Sequence, residues 1–208
     1  MSKGLSGVRA DQKFSYRAME QAATYVREQL KFPADEALDP LRLFEDLHEI
    51  SIGQRDGTAI PLRGGVITLE DSEGYTRYDR QRRIIEILAS ELTYLRLEQG
   101  HPRAAYFVAH ELGHCVLHTD QLVRLAQMPT NQQAAFHRGR TDHKPYEDTE
   151  WQANAFASAL LMPAAGLVSL EDEGLELSPL FVARRFRVSQ EAASYRLNLF
   201  ESRRRDLM

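Results

Sequence analysis

The chain has 208 residues, 43% of them hydrophobic and 27% charged, which is the composition of one globular domain, or one domain with a small appendage. A chain this long can bury about 70% of the surface its unfolded form exposes, so it folds without disulfides or a structural metal. The net charge of −4 gives the whole surface no general pull towards nucleic acid or anionic membrane.

The single cysteine, Cys115, excludes an internal disulfide. Neither the first thirty residues nor any later stretch reads as the roughly 20-residue apolar run of a membrane span. These features predict a soluble cytoplasmic protein with reduced thiols. There is no internal repeat and no low-complexity tract.

Residues 1–13 are polar and read as a frayed terminus. From Ser15 to Leu30, Ala18, Ala22, Tyr25, Val26 and Leu30 recur at helical spacing, and Pro33 lies beyond the end. Asp39-Pro40 supplies an N-cap followed by proline at the first helical position. Leu41, Phe44 and Leu47 form the buried stripe of that second, short helix. Both helices read as scaffold.

Ile50 to Gln54, Val66 to Glu70 and Arg83 to Leu88 read as strands. They are short, rich in Ile and Val, and punctuated by Gly53, Gly57, Gly64, Gly65 and an Asp71–Gly74 turn. The basic cluster Asp79 to Arg83 reads as a solvated turn. Ser90 to Gln99 is ambiguous between a helical turn and an extended strand.

A helix is expected from Pro102 or Arg103 to His118, and it contains His110-Glu111-Leu112-Gly113-His114. Residues four apart on a helix differ by about 40° in azimuth and roughly 6 Å in rise. His110 and His114 can therefore bind one metal ion from one face. Glu111 lies about 100° round the helix, placed to reach a water on that ion. This H-E-x-x-H pattern is the zinc-peptidase arrangement, two ligands and a general base. His118 shares the ligand face one turn further on and reads as a helix-end residue or an outer partner of the ligands. Cys115 reads as a small buried thiol.

Thr119 to Glu147 reads as a long polar connection that borders or covers the site, and it carries His137, His143 and Tyr146. A further helix follows, with Thr149 as its expected cap and Pro163 as its stop. A metal held by two histidines needs a third protein ligand and one open position, and Glu150 in this first turn is the carboxylate best placed to supply it. Asn154, on the same face, can orient Glu150 or an imidazole, or serve in packing or capping. Ala153, Ala157 and Ala159 leave the helix surface shallow, so another helix can approach closely.

Ser178-Pro179 begins a helix to about Phe186. Ser189 caps a last one from Gln190 to about Phe200, and the pair is similar to a helix-turn-helix element. Ser178 to Met208 carries seven Arg against three acids. A hairpin closing the catalytic domain is the ordinary reading of this tail, and direct DNA contact the lesser one.

His110 to His118 (HELGHCVLH) followed by Glu150 to Pro163 (EWQANAFASALLMP) closely resembles the ImmA/IrrE family of metallopeptidases. Its signature is H-E-L-G-H-x-x-L-H and then E-x-x-A-N-x-F-A-x-x-L-L-M-P. Phe186 to Leu197 (FRVSQEAASYRL) also resembles the family's F-x-V-S-x-x-A-x-x-x-R-L ending. The resemblance implies an α+β zincin-like fold. It divides the chain into a catalytic domain over 1–168 and a C-terminal helical segment over 169–208, packed on the first.

It further implies Zn2+ held by His110, His114 and Glu150, with Glu111 as catalytic base. The implied partner is a protein substrate, a helix-turn-helix transcriptional repressor, whose cleavage derepresses phage, mobile-element or stress genes. The alternative is a non-hydrolytic repressor- or DNA-binding regulator on the same scaffold. Two features depart from the family pattern: the connection from His118 to Glu150 looks longer than usual, and no helix-turn-helix domain is added at the N-terminus as in some relatives. For the second oxyanion donor expected in such a site, Tyr146 and His143 are the candidates.

Overall fold

The computed structural model describes residues 8–53, 57–129 and 143–208. His137 lies outside them. The fold is α+β, with a small mixed sheet and helices packed against it.

Helix α1 (Tyr16–Gln29) starts where Ser15 accepts a hydrogen bond from the Ala18 amide, and α2 (Pro40–Glu45) where Asp39 accepts from Leu41 and Arg42. A 3-10 turn over Asp46–Glu49 leads into β1 (Ser51–Gly53) and β2 (Ala59–Ile67). Then come β3 (Gly74–Asp79) and β4 (Ile84–Ser90). The sheet order is β1-β2-β4-β3. β2 runs parallel to β4, and both outer pairs are antiparallel. Every residue of β4 is buried, which is why it reads as an unbroken apolar run rather than an alternating one.

The sequence misses β3. Gly74-Tyr-Thr-Arg-Tyr-Asp79 has the aromatic and β-branched content of a strand. Its neighbours, an acidic turn and the basic cluster, make it look like part of one polar loop. Ser90 is the cap of a helix, α3 (Glu91–Glu98), and not the end of a longer strand. Its hydroxyl accepts from the Thr93 amide and so terminates the ladder.

Helix α4 (Pro102–Leu117) runs behind the sheet, and α5 (Thr119–Gln127) follows at once. The expected loop from Thr119 thus begins as a helix. His118, at φ −124° and ψ 22°, breaks the α4 geometry and turns the chain. After 130–142, a 3-10 turn at Pro145–Glu147 precedes α6 (Thr149–Leu161). The cap of α6 is Asp148, one residue before the expected Thr149, and it accepts from the Glu150 and Trp151 amides.

Pro163 stops α6, but α7 (Ala164–Asp172) begins just beyond it, so residue 168 falls inside a helix. Thr149–Asp172 is long and apolar enough to cross a membrane, but 67% of that window is buried inside the protein and Pro163 interrupts it.

The last two helices are α8 (Pro179–Phe186) and α9 (Gln190–Leu207). α9 extends past the expected Phe200, with a kink at Arg203, because Leu207 is buried. α9 is tied to the end of α6: buried Arg196 donates to the Met162 carbonyl at 2.8 Å and pairs with buried Glu20 at 2.5 Å. Arg27 of α1 donates to the Leu160 carbonyl beside it. Two buried cations thus meet the negative end of the α6 dipole.

Candidate metal centre

Helices α4 and α6 cross at Gly113. A Cβ there would lie 3.0 Å from Ala153 Cα, 3.1 Å from Ala153 O and 3.2 Å from Phe156. Glycine on one helix and alanine on the other let the two backbones approach, which small residues at a crossing permit. The approach brings the face of His110 and His114 onto the first turn of α6.

There the expected ligands meet. His110 Nε2 is 3.1 Å from His114 Nε2 and 3.2 Å from Glu150 Oε2, and His114 Nε2 is 3.3 Å from Glu150 Oε1. Zinc bonds of about 2.0–2.1 Å at tetrahedral angles put ligand atoms about 3.3 Å apart. Two imidazole nitrogens and a carboxylate at this spacing fit zinc in chemistry and in size. All three side chains are only partly covered, so one side of the cluster faces solvent. Burial pulls the His110 pKa down, but the hydrogen bond and charge of Glu150, with help from Glu111 and Asn154, raise it overall. Hydrogen bonds from His110 and His114 hold Glu150 well below the usual carboxylate range, against the opposing effect of burial.

Glu111 stands outside this cluster. Its Oε2 accepts a hydrogen bond from the Thr76 hydroxyl at 2.7 Å. Thr76 lies on β3, the edge strand beside α4. The sequence carries no sign of this pairing, which spans 35 residues and depends on a strand that the pattern hides.

Outer partners hold both imidazoles. His110 Nδ1 lies 2.9 Å from Asn154 Oδ1, which also accepts from the Tyr106 hydroxyl at 2.6 Å. Burial, and then the charge of Glu150, push the Tyr106 phenol up to about 12, so it stays a donor. Tyr106 precedes His110 by four residues, and that spacing was the available signal for it. Asn154 thus has the orienting position expected for it. His114 Nδ1 is 3.2 Å from His118 Nδ1, and His118 Nε2 is 2.8 Å from Gln152 Oε1. His118 is buried away from the ligand cluster; burial and then the neighbouring His114 lower its pKa to about 4. Cys115 is fully buried, and burial pushes its thiol up.

The candidates for an oxyanion donor fare less well. His143 is buried with its Nε2 3.0 Å from Asp148 Oδ2, so the ring braces the cap of α6 and is shut off from a substrate. Tyr146 meets the site through its backbone carbonyl, which accepts from Gln152. Its exposed ring has the ammonium groups of Lys13 and Lys144 5.7 Å from its centre.

No curated protein matches the sequence. A solved structure, a Mycobacterium tuberculosis transcriptional regulator, is similar at 18% identity and a TM-score of 0.45, over 86% of this chain and 46% of that one. This chain therefore spans about half the length of that protein. The family model for the IrrE N-terminal-like domain, Peptidase M78, matches residues 67–198, from the end of β2 through α4 and α6 into α9. The match covers well over half the chain and contains each candidate ligand and the candidate base, so this chain belongs to the IrrE N-terminal-like family of peptidases.

Proposed function

We propose that this chain is a zinc-dependent endopeptidase that cleaves a helix-turn-helix transcriptional repressor and so derepresses the genes it controls. The observation that carries the reading is the convergence of three side chains whose ligand atoms lie 3.1–3.3 Å apart, with a fourth group, Glu111, held beside them by a different partner. His110, His114 and Glu150 hold the ion. A bound zinc ion supplies a Lewis acid, which acidifies water and polarises a carbonyl.

Glu111 does the proton work. Thr76 occupies one carboxylate oxygen and leaves the other to take a proton from the attacking water. The same carboxyl then delivers that proton to the leaving amine. Tyr106 and Asn154 hold the His110 ring through its Nδ1, which would orient the imidazole for a metal. The substrate lies extended along β3, an edge strand among the described residues, where its backbone adds to the sheet next to Glu111.

The family resemblance supports the choice of a repressor as substrate and of the cytoplasm as the place of action. The tail is built for packing: Arg204 pairs with Glu171 at 2.7 Å and lies over the Phe200 ring, and Arg203 pairs with Asp206. The test is to incubate the zinc-loaded protein with the repressor encoded beside its gene, with and without chelator, and to map fragments by mass spectrometry. A chelator-sensitive cut supports the reading. An intact repressor that remains bound to the protein argues for the non-hydrolytic alternative.

A further inference from the structure

The geometry points to a hydrogen-bonded relay, Gln152 to His118 to His114, that determines which nitrogen of His114 is left to bind metal, with Gln152 as the positioning residue at its root. The inference rests on the metal reading of His110, His114 and Glu150.

The argument starts from an amide whose orientation is forced. Gln152 is fully buried in the first turn of α6 (0% exposed). One end of its side-chain amide is 2.9 Å from the Gln12 carbonyl and 2.9 Å from the Tyr146 carbonyl. Carbonyl oxygens only accept, so that end must be the NH2 group, with both hydrogens engaged. The opposite end is then the amide oxygen, and it faces His118 Nε2 at 2.8 Å. An amide oxygen cannot donate, so His118 Nε2 carries the hydrogen.

His118 is 5% exposed, and among the described residues its ring bonds only Gln152 and His114. No carboxylate is bonded to it to hold a second proton, so its Nδ1 offers a lone pair. That lone pair faces His114 Nδ1 at 3.2 Å, which must therefore be the N–H. With Nδ1 committed to His118, Nε2 is the nitrogen of His114 that a metal can take, and it is the one directed at Glu150 and His110. A hydrogen bond at one imidazole nitrogen sets the state of the other.

Each link runs in one direction only. Turning the Gln152 amide over would set its oxygen against two carbonyl oxygens. The two carbonyls that prevent this belong to the segment before α1 and to the turn just before α6. Both segments thus meet at the amide that orients a ligand 38 positions away in sequence.

The test combines a spectrum and an affinity. In the metal-free wild type, nitrogen–proton correlation spectra of the histidine rings should show His118 as the Nε2–H tautomer. With zinc bound, His114 should carry hydrogen on Nδ1 alone. Gln152→Met, close in shape but without the amide, should weaken zinc binding about 10–100-fold in chelator competition, as loss of an outer partner typically does. In the same variant the His118 ring should lose its Nε2–H preference in the nitrogen–proton spectrum, a change that a purely structural role would not produce.

His118 found as the Nδ1–H tautomer in wild type overturns the relay, and that measurement needs no variant to fold. A folded Gln152→Met protein with unchanged zinc affinity overturns it as well. A wild type that binds no zinc overturns the metal reading instead, and the relay's role with it.

Discussion

Replacing Glu111 by Gln removes the base and leaves everything around it. Glu111 is absent from the cluster of His110, His114 and Glu150, so zinc should still bind one to one. Thr76 donates to Glu111 Oε2 at 2.7 Å, and the amide oxygen of Gln can accept that bond. Exchanging a bond to a charged acceptor (about 1.5–3 kcal/mol) for a neutral one (about 0.5–1.5) costs stability about 1 kcal/mol.

The catalytic loss is larger. With its oxygen on Thr76, the Gln amide presents NH2 to the attacking water, and a donor cannot take a proton. A general acid–base group contributes typically about 10²–10⁴-fold, or about 2.7–5.4 kcal/mol of barrier at 1.36 kcal/mol per decade. Single-turnover cleavage of the repressor should slow by that factor while zinc content and repressor binding persist. In cells, the regulated promoter should stay repressed with Glu111→Gln and be released by wild type. If the variant releases the promoter as fully as wild type, with the repressor intact in both, the protein acts by binding and the peptidase reading fails.

Glu150→Ala removes one of three protein ligands, and zinc should be lost at limiting concentration; full metal content in that variant would mean Glu150 is not a ligand. Thr76→Val keeps the shape of the side chain and deletes the bond to Glu111. Bonds to charged groups are worth about 1.5–3 kcal/mol, so kcat should fall by about tenfold to a hundredfold with KM and zinc content unchanged; an unchanged kcat would release Thr76 from any part in placing the base. Arg203, Arg204 and Arg205 replaced together by Ser should cost no more than about 1–2 kcal/mol, because exposed pairs and an exposed cation–π contact contribute little. Arg196→Met should cost about 3–5 kcal/mol by leaving buried Glu20 unpaired. Chemical denaturation compares the two, and equal losses would contradict this account of how the C-terminal helices are fastened.

The sequence by itself determined what depends on local spacing. His110 and His114 are four residues apart, so any helix brings them to one face, and Ser15, Asp39, Ser178 and Ser189 are caps wherever their helices begin. The family blocks named Glu150 because it stands at a fixed place within a helical motif. Tertiary structure decided what depends on contact between distant segments.

Edge strand β3 has no unbroken apolar run, and it becomes a strand by pairing with buried β4. Through it Thr76 reaches Glu111, a pairing no local period could announce. His143 had the chemistry of an oxyanion donor, but burial against Asp148 commits it to bracing a cap. Gln152 is an unremarked position inside a helical motif until packing surrounds its amide with two carbonyls and an imidazole. A hydrogen-bonding side chain has no role of its own in one dimension; the groups that fold against it, by accepting or donating only, fix which end faces the metal ligand.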